Sequence, residues 1–237
     1  MLQVKRQVMI KKLAFTLSEV LITLVIIGIV AAMTIPSIIQ STNDSQYKVA
    51  LKKNYSNFSK AFNLAYGYYF YDDYMDWDYA HDNDFTQDVF ENLSRYLNVN
   101  SVCGRVFNDN KCFSPAKAKN GQPARYFTEK GFAGNFAHLY TFTLTDGTSV
   151  AFDIWYDYSI KQLAGVEKNL IKESDNLVIL VDVNGKKGPN VVGKDVHMFV
   201  LTERGLVPAG IDNKSKYCNS RSVDYNYDCT AQMLLKN

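Results

Sequence analysis

Histidine is the side chain that most often does acid–base chemistry near neutral pH, and this sequence contains little of it. Its three histidines, His81, His138 and His197, lie far apart along the chain. None of them belongs to a nucleophile elbow, a His-Glu-x-x-His run or a phosphate-binding loop. The sequence therefore predicts that the protein is not an enzyme, and we interpret the histidines as ordinary surface or strand residues.

A second group of polar side chains has the chemistry of a metal site. The stretch DVNGKKGPNVVGKD, residues 182–195, is rich in glycine, which lets the backbone turn its carbonyl groups inward as calcium requires. Its hard oxygen ligands are Asp182, Asn184, Asn190 and Asp195. The stretch departs from an EF-hand, because no glutamate closes it and Lys186 and Lys187 add positive charge. We interpret the stretch as a long hairpin with Asn-Gly and Gly-Pro turns and predict no obligatory cofactor; a calcium loop built on these four ligands is the alternative.

The most unusual acid is Glu19, the one charged residue among the 25 residues from 15 to 39. About 20 apolar residues are enough to span a bilayer core. A carboxylate in hydrocarbon costs roughly 2.5–3.5 kcal/mol and normally marks a function or a partner. The plain alternative is an interfacial acid in the first helical turn, where the positive end of the helix dipole stabilises negative charge.

The residues before this segment are not arranged like an ordinary secretory signal, whose cleavage site follows the apolar region. Here two lysines and the small residue Ala14 precede it. Residues 11–36, KKLAFTLSEVLITLVIIGIVAAMTIP, resemble the prepilin-type signal of type IV pilins and type II secretion pseudopilins. The resemblance implies that prepilin peptidase removes a leader of residues 1–14 by cutting between Ala14 and Phe15. Methylation of Phe15 would follow; an uncleaved signal anchor is the alternative.

The resemblance also implies partners. In an assembled fibre Glu19 would be buried among neighbouring helices, where an unpaired charge is strongly destabilising. The family supplies a partner for it, the free amine of Phe15 on the adjacent subunit. The implied partners of the whole chain are prepilin peptidase, other pilin or pseudopilin subunits, the inner-membrane platform of the assembly machine, and membrane lipid.

Positive charge before the apolar segment predicts the orientation in the membrane. All four basic residues of the leader, Lys5, Arg6, Lys11 and Lys12, lie on the side that stays cytoplasmic. We therefore expect a single pass through the inner membrane with an exported head, and later a filament. Removing these four from 26 basic and 24 acidic residues leaves a mature net charge of −2, so we expect no nucleic-acid partner.

An amphipathic stalk helix is predicted beyond the membrane, over residues 40–70, after a kink at Pro36. Apolar residues there recur in steps of three and four, as they do on one face of a helix. This stripe comprises Tyr47, Leu51, Tyr55, Phe58, Phe62, Ala65 and Tyr69. We interpret it as the face on which a globular head packs.

Residues 71–237 are predicted to form this head. The segment 66–84 is dense in tyrosine and aspartate and has no period, so we interpret it as a loop, with a sugar or partner contact as the alternative. A short helix is predicted over residues 85–98. Strands are predicted over residues 138–144, 149–156, 176–183, 196–202 and 205–209, with Asp146-Gly147 at a hairpin turn. The expected fold is α+β and pilin-like, a long N-terminal helix packed on an antiparallel sheet.

The exported part contains four cysteines, an even number that favours disulfides outside the cytoplasm. Of the three possible pairings we favour Cys103–Cys112 and Cys218–Cys229, because each closes a short polar loop. The spacing does not fit a strong zinc pattern.

Together these features predict a structural subunit of a type IV pilus-like filament that polymerises through its N-terminal helix. We favour a type II secretion pseudopilin or a minor pilin. An adhesive or DNA-uptake pilin that binds a ligand through its head loops is the alternative, since pili, competence fibres and secretion pseudopili share the signal. The candidate calcium loop is similar in placement to that of major pseudopilins.

Overall fold

The structure is a computed structural model of the full chain. It describes residues 15–67, 85–105, 112–124, 139–156, 164–166, 171, 175–202, 204–212, 218 and 226–235. The leader with Ala14, the tyrosine- and aspartate-rich residues 68–84, and His138 lie outside these described residues. The chain divides into two compact units, Met1–Asn43 and Asp44–Asn237.

Helix α1 spans Leu17–Tyr66 and continues through Pro36. Its N-terminal half is long and apolar enough to cross a membrane, and the most apolar window, with a mean hydropathy of 2.5, is 0% buried. The helix ends at Tyr66, short of the predicted residue 70. Gly67 follows with φ of 64°, the left-handed conformation that commonly terminates a helix and that glycine adopts without a steric penalty.

The second unit contains a six-stranded antiparallel sheet in which each strand pairs with the next along the chain. Helix α2, Phe85–Ser94, precedes the sheet. The strands are β1 (Val99–Gly104), β2 (Tyr140–Leu144), β3 (Ser149–Tyr156), β4 (Asp175–Asp182), β5 (Val196–Thr202) and β6 (Gly205–Pro208). A 3₁₀ turn, Asn226–Asp228, leads into helix α3, Cys229–Leu235. This long helix and antiparallel sheet form the α+β, pilin-like architecture predicted from the sequence.

The turn between β2 and β3 forms where the Asp-Gly pair predicted it. Gly147 has φ of 90°, a conformation that disfavours any side chain. The Asp146 carboxylate accepts a hydrogen bond from the backbone N–H of Thr148 at 3.0 Å. Two contacts then fix α1 to this turn: Lys53 forms an ion pair with Asp146 at 2.8 Å, and the buried Asn54 donates to Thr148 Oγ1 at 3.1 Å.

The stripe of apolar residues on α1 packs on one face of the sheet, as predicted. Tyr47, Leu51, Phe58 and Phe62 are buried, and Tyr55 and Ala65 are partly buried against the same cluster. Alternate residues of the strands, among them Phe152 and Phe199, complete this first core. The Tyr55 ring lies 5.4 Å from that of Phe199, so aromatic contacts carry much of the packing between helix and sheet.

The opposite face of the sheet is also buried, which the sequence did not indicate. Ala151, Val178, Leu180, Met198 and Val200 form a second core on this side. The residues that cover it come from irregular chain and from the C-terminal segment: Phe113, Ala116, Ala124, Ala164, Val166, Ile171, Val192, Ala209 and Tyr227. A sheet covered on both faces explains why β5 is buried at every position rather than alternating.

Two predictions about the start of the head were wrong. The helix predicted over residues 85–98 ends at Ser94, and residues 99–104 form the edge strand β1, for which no strand was predicted. Asn100, Ser101 and Val102 are exposed, because this edge of the sheet has a partner on one side only. Without a buried face the strand lacks the alternation from which strands are recognised in a sequence.

Candidate functional site

Glu19 closes a capping box at the N-terminus of α1. Its Oε2 accepts hydrogen bonds from the backbone N–H and from the hydroxyl of Thr16, both at 2.8 Å. In return the Thr16 hydroxyl oxygen accepts the backbone N–H of Glu19 at 3.2 Å. This reciprocal pair satisfies donors that a helix leaves unpaired in its first turn. The Thr-x-x-Glu spacing is a signal that the sequence analysis missed.

Phe15 directly precedes this cap, and its side chain is 82% exposed. Phe15 is also the residue that becomes N-terminal if the leader is removed after Ala14, which lies outside the described residues. The new amine would therefore stand next to Thr16, one residue before the cap. Both hydrogen bonds from Thr16 end on one oxygen of Glu19, an arrangement that already holds the carboxylate at the helix terminus.

The four candidate metal ligands lie together in the second unit. Unlike the exposed Glu19, the two carboxyls among them are buried. Asp182 ends β4, Asp195 precedes β5, and both are fully buried. The loop between them, residues 183–195, is called the β4–β5 loop below. Asn184 Nδ2 donates to the hydroxyl of Tyr47 at 3.4 Å and to the carbonyl of Gly188 at 3.1 Å, so the loop is fastened to α1 and to itself.

Asp195 holds the far side of the β4–β5 loop through the backbone. Its Oδ2 accepts the N–H of Asn190 at 2.8 Å, and its Oδ1 accepts the N–H of Val191 at 2.6 Å. Burial raises the pKa of the Asp195 carboxyl, while these hydrogen bonds act in the opposite direction. The carboxylate therefore acts first as a structural clamp on a turn in which Asn190 has φ of 52°.

Asp182 is the more strongly perturbed carboxyl. Burial, and secondly the nearby charge of Asp195, raise the pKa of Asp182 to about 8. The backbone N–H of Asn184, 3.2 Å from Oδ1 of Asp182, offsets only part of this. Two buried carboxyls this close favour either a proton on one of them or a cation between them.

The orientation of the Asn190 side-chain amide bears on whether either is needed. One of its terminal atoms lies 3.1 Å from the Lys187 carbonyl oxygen and 3.1 Å from Oδ2 of Asp182. With nitrogen at this position the amide donates to both oxygens, and the loop closes on itself. With oxygen there, three oxygens converge, and a proton or a cation between them is required.

The donor set of the β4–β5 loop therefore fits a hard cation in kind, because it offers two carboxylates and amide oxygens. Asn184 Oδ1 is buried and has no hydrogen-bond partner within the part of the chain that the structure describes. Among the described residues, however, no three acidic, histidine or cysteine side chains are grouped as a metal site. Any ion here would depend on amide and backbone oxygens for most of its ligands.

Sequence reasoning missed two residues that shape this loop. Tyr47 was assigned only to the packing stripe, yet its hydroxyl contacts Asn184. Gly185 has φ of 65°, and a side chain there would overlap with the Gly147 carbonyl of the β2–β3 turn. The Asn-Gly pair of the sequence signalled a turn, but the contact between the two turns has no sequence signal.

The cysteines form two disulfides, Cys103–Cys112 and Cys218–Cys229. This is the pairing that the loop lengths favoured. The first ties edge strand β1 to the chain that follows it. The second joins Cys218 to the first residue of α3, so that the C-terminal segment stays against the second core.

Of the three histidines, His197 is described. It lies fully buried in β5, not at the surface, and its Nε2 is 3.1 Å from the Lys194 carbonyl oxygen. Burial lowers the pKa of His197 to about 4, so the ring is neutral at physiological pH. It is a core histidine of the strand that begins where the β4–β5 loop ends.

Comparison with known proteins identifies one region of the chain. No curated protein and no solved structure matches the chain. Residues 9–35 match the model of the prokaryotic N-terminal methylation motif. The match spans the predicted cleavage junction, Glu19 and the apolar half of α1. It supports a type IV pilin-like prepilin signal, and with it a filament subunit that prepilin peptidase processes and that assembles with other pilin subunits.

Proposed function

We propose that this protein is a type II secretion pseudopilin or a minor pilin, anchored by α1 in the inner membrane until it enters the filament. The observation that carries the proposal is the methylation motif at residues 9–35, followed by one continuous helix whose first half is apolar and exposed. An exposed apolar helix of this length is stable only in lipid or against other such helices. The role is structural, and the motor would be a separate protein.

Mass spectrometry of the native product tests the processing step. The expected N-terminal residue is Phe15, carrying one methyl group. A chain that still begins at Met1, or that lacks the apolar half of α1, would contradict the proposal. As a matched control, replacing Ala14 with a bulky residue should block cleavage and leave the precursor in the membrane.

A pseudopilin or minor pilin differs from an adhesive pilin in its abundance in surface fibres and in the effect of its deletion. A pseudopilin or minor pilin should be scarce in sheared surface fibres, and its deletion should reduce secretion or fibre initiation. An adhesive pilin should instead be abundant at the surface, and head variants should lose ligand binding while fibres persist. Immunoelectron microscopy of sheared fibres separates these outcomes.

We also propose that the β4–β5 loop binds Ca²⁺ through Asp182, Asp195 and the side-chain oxygens of Asn184 and Asn190. The supporting observation is the buried Asp182 beside Asp195, together with Asn184 Oδ1, which has no hydrogen-bond partner among the residues that the structure describes. Calorimetry of the full chain in detergent should detect heat on adding calcium and a rise in melting temperature. Asp182→Asn should abolish both, and Asp88→Asn on α2 is the control. Absence of heat and of a melting shift would refute calcium binding.

A further inference from the structure

The β4–β5 loop separates its charges by sign. Its two flanking carboxyls, Asp182 and Asp195, are fully buried and bonded to the amides of the loop. Lys186 and Lys187 at its tip are exposed. These lysines are the feature that fits a calcium loop least, and neither hydrogen bonding nor packing of the loop uses their ammonium groups in the described structure. Their ammonium groups are therefore available to an anionic partner outside the head.

The loop lies where α1 enters the second unit. Lys194 forms an ion pair with Asp44 at 3.5 Å, and Asn184 contacts Tyr47. Asp44 follows Ile39, the end of the apolar segment, by five residues. Five residues of helix rise by about 7–8 Å, and the headgroup layer on each side of a bilayer core is roughly as thick. Asp44 of a membrane-anchored chain therefore lies near the outer margin of the headgroups.

We propose that Lys186 and Lys187 bind the phosphate groups of anionic phospholipids and dock the β4–β5 loop on the membrane before the subunit enters a filament. The proposal rests on the membrane anchorage proposed above. Lysine near an anionic bilayer is attracted by its surface potential, and each contributes roughly a fivefold preference.

Lysine footprinting of the processed full chain tests this docking. Single copies are placed in nanodiscs of phosphatidylcholine alone or mixed with an equal part of phosphatidylglycerol, and a water-soluble acylating reagent is added. We expect Lys186 and Lys187 to react about five- to thirtyfold more slowly in the anionic discs. High salt should remove the protection, because it screens the attraction. Lys60, exposed on α1, serves as the internal control and should react equally in both discs.

A variant pair extends the test. In anionic discs, amide exchange across residues 184–191 should be slower than in neutral discs for the unmodified chain and for Lys52→Gln/Lys60→Gln. It should be the same in both discs for Lys186→Gln/Lys187→Gln. Equal footprints in both lipids, protection that persists in high salt, or equal protection of Lys60 would each overturn the proposal. A chain that does not insert into discs at all would instead contradict the membrane anchorage.

Discussion

Glu19 begins an exposed helix, whereas Asp182 ends a buried strand, and the two acids obtain their hydrogen bonds in different ways. The partner of Glu19 is Thr16, three positions away, and neither residue is covered by other parts of the described chain. Asp182 accepts the backbone N–H of Asn184, but burial and, secondly, the charge of Asp195 raise its pKa to about 8. One site is complete within a helical turn, and the other exists only in the folded head.

The contrast explains how each acid is available for function. A capping box holds Glu19 in place without burying it inside the subunit, so the carboxylate remains accessible to a cationic partner. Asp182 has no such freedom, because its burial must be compensated within the loop by a proton or a cation. The first acid suits assembly between subunits, and the second suits control of the stability of one subunit.

The largest effect is expected from Glu19→Ala. This chain should insert in the membrane but remain absent from filaments, because the amine of Phe15 on the next subunit would lose the buried partner that the prepilin-type resemblance implies. Shearing followed by immunoblotting of fibre and membrane fractions measures the ratio. Thr16→Ala removes the cap but not the carboxylate, and should weaken the helix end by only about 1 kcal/mol while fibres still form. Loss of fibres in Thr16→Ala alone would assign the role of Glu19 to capping.

Asp182 should make the calcium-free chain less stable as the pH rises. Its folded pKa lies above its unfolded one, so the folded state holds a proton that the unfolded state has lost between about pH 4 and pH 8. The free energy of unfolding should fall over this range by several kcal/mol relative to Asp182→Asn. Urea denaturation in detergent with a chelator measures the free energy of unfolding of both chains at each pH. His197 contributes with the opposite sign, but it is present in both chains, so its contribution cancels in the difference. Parallel pH profiles of the two chains would contradict the assignment.

Gly185→Ala should destabilise the head by roughly 2–4 kcal/mol, because it combines a left-handed φ with an overlap on the Gly147 carbonyl. Gly121→Ala is the matched control, since Gly121 has φ of 83° with nothing within 4 Å of an added Cβ. It should cost about 1 kcal/mol. Denaturation midpoints report both values, and equal losses would show that the two turns do not touch.

The smallest effects are expected from two contacts between α1 and the β2–β3 turn that are equally remote in sequence but differ in burial. Asn54→Ala should cost about 1–2 kcal/mol, because it leaves a buried contact with Thr148 unmade. Lys53→Met removes an ion pair that is equally remote in sequence but whose lysine is 55% exposed, and should cost well under 1 kcal/mol. If the two losses are equal, exposure does not explain the contrast between Glu19 and Asp182.

Much of the fold could be predicted because its signals are local. The α1 stripe, the Asp-Gly turn and the four central strands follow from periodicity and turn chemistry over a few residues. Strand β1 could not be predicted, because its exposed edge erases the alternation. The second core was missed because its cover is irregular chain, for which no period exists.

The candidate sites divide in the same way. The sequence alone determined the prepilin-type signal, the apolar half of α1 and the position of Glu19 within it, because a membrane segment and a capping box are encoded by neighbouring residues. Only the tertiary structure decided that Asp182 and Asp195 are both buried, that Tyr47 contacts the β4–β5 loop and Gly147 lies against it, and that Lys186 and Lys187 remain exposed. Those properties depend on which residues, distant in the sequence, pack against each side chain and bury it. No short stretch of sequence specifies these contacts.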